Sequence, residues 1–271
     1  MAFPVLGEYL DLVLEARLDE ASSALAAAHA RESVPGGRAR LAAVAAFASA
    51  LAARHGAARR WAELARADAD DEPSRAMASA AEQFSACLAP PGEGIAPAGG
   101  PGFEPAWADE DVSVSGYLAV EASMSSGRLV DAERIALDFL AQETRASAQA
   151  RIFARIGLAR SLAFQGRVEE AAANALLATT AAEARGGVPA RMLAAATTAY
   201  IEAQRGNGAE TERLTVFVLA LDPDPRSYIP VGSHILCAYG LAAIGSVDRA
   251  AQLVLSAAGG PALGRARARG C

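Results

Sequence analysis

The sequence predicts an all-α protein made of antiparallel helix pairs, about 13 helices in all, stacked along the chain. A segment that reads Gly127-Arg-Leu-Val-Asp-Ala132 returns in related form from Gly166, Gly206 and Gly245, so the leading glycines recur at a nearly constant spacing. A fixed period of about 40 residues is typical of helix pairs that each bury an apolar face on a neighbour. An alanine-rich composition with 6% aromatic residues, and the lack of an alternating strand pattern, agree with this fold class.

Composition and charge narrow the class of protein. The net charge is −6, all 25 basic residues are arginine, and both signs of charge are spread along the chain. We therefore expect no basic face and no direct contact with nucleic acid. The three cysteines are far apart and odd in number, which favours a reducing compartment over a disulfide framework. Because the sequence has no signal-peptide pattern and no apolar run of about 18 residues, we expect a cytoplasmic protein without a membrane span.

The N-terminal part, residues 1–88, is predicted to contain degenerate helical repeats. A first helix covers about residues 5–15, and Ala16 stands where the later copies have the turn glycine. A second helix runs to about Ala30 and stops before Pro35-Gly-Gly37, because proline and glycine break helices.

The remaining helices of this part show the same period. A third helix is predicted over residues 38–54 and ends at Gly56, which lies one such period after Ala16 and matches the turn position. A fourth helix follows. Pro73 fits the first turn of a fifth helix that runs to about Leu88.

A Pro/Gly-rich segment over residues 89–108 interrupts the repeat. Ten of its twenty residues are proline or glycine. Such a segment cannot be helical and buries little apolar surface, so we expect a mobile linker. The interval from Gly56 to Gly127 is longer than one period and shorter than two. The sequence does not decide whether the parts before and after the linker, 1–88 and 109–258, form one continuous surface.

The part from 109 to 258 is regular, and a short arginine-containing tail over 259–271 is expected to be disordered. Each turn glycine lies between two helices, where it supplies a left-handed backbone conformation at low cost. Eight helices are predicted at about 112–126, 129–143, 148–165, 168–184, 189–204, 208–220, 228–243 and 247–258.

The four copies resemble the tetratricopeptide repeat, a helix-turn-helix unit of many interaction scaffolds. Small residues match the family five positions after the turn glycine and seven positions before it, and Leu221-Asp-Pro223 resembles the usual end of a repeat. The resemblance implies a right-handed superhelical solenoid in which the first helix of each pair lines a concave face. The matching small residues are Ala132, Ala171 and Ala250 after the glycine, and Ala159, Ala199 and Ala238 before it.

The chain also departs from that family. The family's early tryptophan is absent, its place being taken by Gly116, Arg155, Ala195 and His234, and each unit is longer than usual. Long, alanine-rich repeats of this kind resemble the repeat region of LuxR-type and maltose-regulator-type bacterial transcription regulators. No DNA-binding module accompanies them in this sequence.

The resemblance implies a binding groove on the concave face. A shared set of offsets from each turn glycine selects a mostly apolar lining that suits a protein or peptide partner, or a small apolar ligand. The alternative is that these side chains fill a tightly wound superhelix. The groove candidates are Tyr117, Glu121, Met124, Phe153, Ile156, Arg160, Phe164, Tyr200, Ile235 and Tyr239, with Leu193 at a related offset.

Two clusters of polar residues could form a catalytic or metal-binding site, but a structural role explains each of them better. The acidic run from Asp68 to Glu72 could hold magnesium and a diphosphate, but it lies at a helix break, where carboxylates cap the next helix. His234 and Cys237 share a helix face without further ligands nearby, so we expect packing residues. No nucleophile elbow or phosphate loop occurs. We expect no enzyme, cofactor or metal site.

Three functions remain open. The first is a non-catalytic scaffold that binds a protein or peptide partner through the concave groove. The second is the effector-sensing or regulatory arm of a LuxR-type regulator. The third is a helical enzyme that acts on an apolar or diphosphate substrate with Asp70 and Asp71, and we expect it least.

Overall fold

A computed structural model of the chain describes residues 6–89, 112–142, 147–222 and 227–257. Within these ranges it contains thirteen α-helices and no β-strand, which confirms the predicted all-α class. The predicted linker beyond Ala89 and the predicted tail over 259–271 lie outside the described residues. None of the described helices is both long and apolar enough to cross a bilayer.

The helices of the C-terminal part match their predicted ranges to within two residues, whereas the third helix begins and ends three residues earlier than predicted. Pro35 forms the first turn of that helix, where its missing N–H is not needed, instead of ending the previous helix. The helices are α1 (Leu6–Leu14), α2 (Leu18–Arg31), α3 (Pro35–Leu51), α4 (His55–Asp68), α5 (Glu72–Leu88), α6 (Val112–Ser125), α7 (Leu129–Ala141), α8 (Ala148–Phe164), α9 (Val168–Arg185), α10 (Val188–Gln204), α11 (Gly208–Leu221), α12 (Tyr228–Ala243) and α13 (Val247–Ala257).

Six helix–helix turns share one geometry. Each has a residue at φ between 57° and 85°, and the next N–H donates to a carbonyl five residues earlier at 2.8 to 3.0 Å. This bond closes a helix C-terminus whose last carbonyls would otherwise lack partners. A Cβ added at any of the four glycine turns would meet nothing within 4 Å, so the backbone angle and not space requires glycine. The six turn residues are Ala16, Ala53, Gly127, Gly166, Gly206 and Gly245.

The turn after α3 corrects the predicted register. Ala53 has φ of 57° and is the turn residue, whereas Gly56 lies inside α4. The first period therefore runs from Ala16 to Ala53 and is three positions shorter than the predicted one. With this register Ala58 occupies the small position five residues after the turn, and it is buried like its counterpart Ala171.

The helices fall into two kinds by burial. The helices α3, α8, α10 and α12 are buried on nearly all sides. In contrast, α9 buries a single stripe of alanines, Ala171, Ala175, Ala178 and Ala182, which recurs at helical spacing. Because these alanines are small, the neighbouring backbones can approach closely.

The N-terminal and C-terminal parts share one hydrophobic core, to which all thirteen helices contribute. Helix α5 packs on α3, α4 and α6, so the stacking continues across the segment between residues 89 and 112. Helix α1 contacts α6 and α8, and α3 contacts α12. The Ser147 hydroxyl donates to the Asp11 carboxylate at 3.1 Å and adds a polar link between the two parts.

Ion pairs repeat along the edge that carries the turns. Arg54 pairs with Asp19, Arg205 with Glu169 at 3.2 Å, and Arg249 with Glu212, each joining successive repeats. Most of these groups are exposed, so each pair adds little to the stability.

A close contact requires glycine at position 116 of α6. A Cβ added to Gly116 would lie 2.4 Å from the ring of Phe139 on α7. The phenylalanine ring therefore occupies the space beside the α6 backbone, and only glycine fits there.

Candidate functional site

The structure divides the predicted groove residues into a buried set and a set that remains partly or largely exposed. The buried set is almost completely removed from solvent and lies inside the core, so these side chains do not line a surface. The buried set comprises Tyr117, Glu121, Phe153, Ile156 and Arg160, and Leu193 is buried with them.

Aromatic contacts across the chain explain why this inner region is filled. The Phe47 ring of α3 packs 4.4 Å from Phe84 of α5 and 5.6 Å from Tyr117, measured between ring centroids. Tyr117 continues to Phe153 at 5.8 Å, and Phe84 contacts Tyr228 of α12 at 5.4 Å. These rings come from both parts of the chain, so the space that the repeat pattern assigned to a groove is occupied by core packing.

A buried ion pair lies within this aromatic core. The Arg160 guanidinium donates to the Glu121 carboxylate, and both residues are buried. Burial opposes the charge of Arg160, but the Glu121 carboxylate and two nearby tyrosines leave its pKa above the ordinary value. Loss of hydration raises the pKa of Tyr228 to about 12, and the Glu121 carboxylate acts in the same direction. This polar cluster joins α6, α8 and α12.

The exposed set of predicted residues forms a short row of aromatic rings. Phe164 on α8 lies 5.3 Å from Tyr200 on α10, and Tyr200 lies 6.2 Å from Tyr239 on α12. Phe164 is 38% and Tyr239 49% exposed, whereas Tyr200 is partly buried. We call Phe164, Tyr200 and Tyr239 the aromatic row. Met124 and Ile235, the remaining predicted residues, are partly buried.

The repeat register explains the alignment of the aromatic row. Tyr200 and Tyr239 both lie six residues before a turn glycine, and Phe164 lies two residues before one. Positions two and six before the turn are four residues apart, so they share one face of a helix. The row therefore follows one side of α8, α10 and α12, the first helices of three successive repeats.

A groove that the sequence prediction missed lies on another face. It has a volume of about 550 Å³ and is bounded by α9, α10 and α11. Its walls carry Leu176 and Phe217, and its floor contains Ala194, Ala195 and Thr198. The sequence signal was present, because Leu176 belongs to a set of aliphatic residues that recurs ten positions after each turn glycine and is exposed.

The acidic run is used for helix capping and ion pairing. The Asp71 carboxylate accepts from the Ser74 N–H at 2.7 Å and closes a capping box on α5. Arg38 donates to Asp68 at 2.8 Å and lowers the pKa of that carboxyl. Burial disfavours the charge of Asp71, but the Ser74 hydrogen bonds and Arg40 leave its pKa below the ordinary value. These contacts support the capping interpretation.

The pair His234 and Cys237 lies in the core. The His234 Nε2 is 2.8 Å from the Asp222 carbonyl oxygen, and burial lowers the pKa of the imidazole. Burial also raises the pKa of the Cys237 thiol to about 12, so the thiolate is disfavoured. In the described part of the chain, no group of three or more His, Cys, Asp or Glu side chains is arranged to hold a metal ion.

Comparison with known proteins does not assign this chain to a family. Neither a protein-family model nor a curated protein matches the chain.

Proposed function

We propose that the chain is a non-catalytic scaffold built as a right-handed superhelical solenoid of tetratricopeptide-like repeats, and that it binds a protein or peptide partner through the aromatic row. The row carries the proposal, because Phe164 and Tyr239 are exposed on either side of the partly buried Tyr200, while the other aromatic candidates of the groove are enclosed in the core. Six turns of the same geometry, which recur at a nearly constant spacing within each part, support the repeat architecture.

The chemistry of the row suggests the kind of partner. Phenol and phenyl rings offer large apolar faces at low entropic cost, and the tyrosine hydroxyls remain available as hydrogen-bond groups. The rings lie on the first helices of three successive repeats, so a partner that crosses α8, α10 and α12 could contact them in turn. An extended peptide or one face of an amphipathic helix with apolar side chains fits this description.

Affinity capture with matched variants tests the proposal. The full chain is immobilised as wild type, as Tyr239→Ser, as a Phe164→Ser/Tyr239→Ser double variant, and as Leu64→Ser, which removes an exposed leucine on α4. We expect a partner that the wild type and Leu64→Ser recover equally and that the aromatic variants recover at least roughly tenfold less. Equal recovery by all variants, with unchanged helix content, overturns the proposal.

A second candidate function is the sensing arm of a LuxR-type transcription regulator. The unit length favours it, because the spacing of the turns from Gly127 to Gly245 exceeds the usual tetratricopeptide period of about 34 residues. The coding sequence downstream of this chain distinguishes the two. A helix-turn-helix domain in the same or a neighbouring frame supports the regulator, and its absence from both weighs against it.

A further inference from the structure

The second helices of the regular part expose aliphatic side chains at one recurring position. Each lies ten residues after its turn glycine, and each is between 39% and 67% exposed. Large exposed apolar groups that repeat with the fold mark an interaction surface. These residues are Leu137, Leu176, Val216 and Leu255, and the following position adds Leu177 and Phe217.

This surface contains both a groove and projecting groups that could fill one. The groove between α9 and α11 is about 550 Å³ in volume, and its floor is formed by small residues of α10. Leu176 and Phe217 project from its two walls. In an interface across a two-fold axis, both copies use the same surface patch. That patch must therefore supply both the projecting side chains and the groove that receives them.

The charges around the groove are nearly all paired with one another. Arg205 pairs with Glu169 at 3.2 Å and with Glu202 at 2.8 Å. Arg213 pairs with Glu210 at 2.6 Å. Each of these five groups has a partner of opposite sign, and together they leave a net charge of −1 at the end of the groove that carries the turns.

Two charged groups of opposite sign remain at the other end of the groove. Glu183 lies in the last turn of α9 and Arg191 in the first turn of α10, and both line the groove. Neither forms an ion pair with the part of the chain that the structure describes, and the buried Nε of Arg191 has no hydrogen-bond partner there. A patch that carries one unpaired acidic group and one unpaired basic group can pair with an identical patch on a second copy.

We propose that this face binds a second copy of the chain across a two-fold axis. Leu176 and Phe217 of each copy pack into the groove of the other, and Arg191 of each copy pairs with Glu183 of the other. A two-fold axis forms the contact between Arg191 and Glu183 twice, so both charges in both copies have a partner. The proposal does not depend on the aromatic row, which lies at other positions of the repeat.

Sedimentation of the full chain tests the apolar part of the proposal. We expect a dimer at roughly 100 μM, which would saturate an interface with a Kd of about 1 μM. Leu176→Glu should be monomeric, because it places a charge in the apolar contact, and the exposure of Leu176 should leave the helix content measured by circular dichroism unchanged. The matched control Leu64→Glu changes an exposed leucine on α4 and should remain dimeric.

Complementary charge variants test the ion pair. Arg191→Glu leaves two acidic groups on the face and Glu183→Arg leaves two basic groups, so each variant alone should be monomeric. Mixed in equal amounts, they should form a heterodimer, because each face then meets its opposite. If the wild type is monomeric, the proposal is overturned, and a partner of different sequence is then the expected ligand of the groove. A wild-type dimer that all these variants leave intact overturns it as well, since another face must then form the contact.

Discussion

The Arg160 guanidinium of α8 and the Glu121 carboxylate of α6 form an ion pair inside the core, with side chains 9% and 1% exposed. The second carboxylate oxygen of Glu121 and the Nε of Arg160 make no hydrogen bond with the described residues. Removing two charges from water is costly, so a pair of this kind adds little net stability. We expect its effect to be on specificity, because packing arrangements that separate the two residues would leave each charge buried without a partner.

The first prediction concerns this pair. Arg160→Met should destabilise the protein by about 3–5 kcal/mol, because it leaves the Glu121 carboxylate buried without a counter-charge. Chemical denaturation measures the loss. The double variant Glu121→Leu/Arg160→Met should recover most of the stability, since it removes both desolvated charges. A double variant no more stable than the single one contradicts this explanation.

The second prediction concerns the alanine turns. Ala53 has φ of 57°, a conformation that costs an L-residue roughly 1–2 kcal/mol. Ala53→Gly should therefore raise the free energy of unfolding by up to about 1 kcal/mol, after allowance for the entropy of glycine in the unfolded chain. The neighbouring Ala52 has φ of −82°, so Ala52→Gly should not stabilise. Equal effects of both substitutions would show that Ala53 is not the turn residue.

The third prediction concerns the small position after the turn. Ala171 is fully buried on α9, so Ala171→Leu should overpack the helix contact and cost about 1–3 kcal/mol. Ala184 is on the same helix but exposed and outside the groove, and Ala184→Leu should change the stability by less than about 0.5 kcal/mol. Thermal melting of the two variants provides the comparison. An unaltered melting temperature for Ala171→Leu contradicts the register.

The fourth prediction concerns pH. Burial lowers the pKa of His234, and its Nδ1 has no hydrogen-bond partner among the described residues, so the folded state holds the neutral imidazole. In the unfolded chain the imidazole has its ordinary pKa of about 6.5. Below that pH the unfolded chain therefore binds a proton at this side chain that the folded chain does not bind. Stability should therefore fall as the pH drops from 7 towards 5. His234→Gln should reduce this slope, and denaturation curves at several pH values would reveal an unchanged slope if the assignment is wrong.

The turns show which parts of the fold could be read from the sequence. Glycine at Gly127 or Gly166 signals a left-handed residue, because few other residues adopt that conformation cheaply. Alanine carries no such signal. Ala16 could be aligned from the surrounding pattern, but Ala53 was missed because Gly56 lies only three residues away.

The candidate site was less predictable, because it depends on contacts between distant segments. The period identifies residues that face inward, such as Tyr117 and Tyr239, but it does not show which of them the rest of the chain covers. Tyr117 is enclosed by Phe47 of α3, which lies far away in the sequence, whereas Tyr239 remains half exposed. The groove beside Leu176 was missed because the family resemblance directs attention to the first helix of each pair.

Photo-crosslinking in living cells tests the proposed function most directly. A benzoylphenylalanine replaces Tyr239 on the aromatic row in one strain and Val34, an equally exposed residue at the start of α3, in another. We expect irradiation to join position 239 to a specific partner polypeptide and to leave position 34 without that adduct. Adducts that are identical at the two positions, or that occur only at position 34, would contradict a partner-binding role for the row.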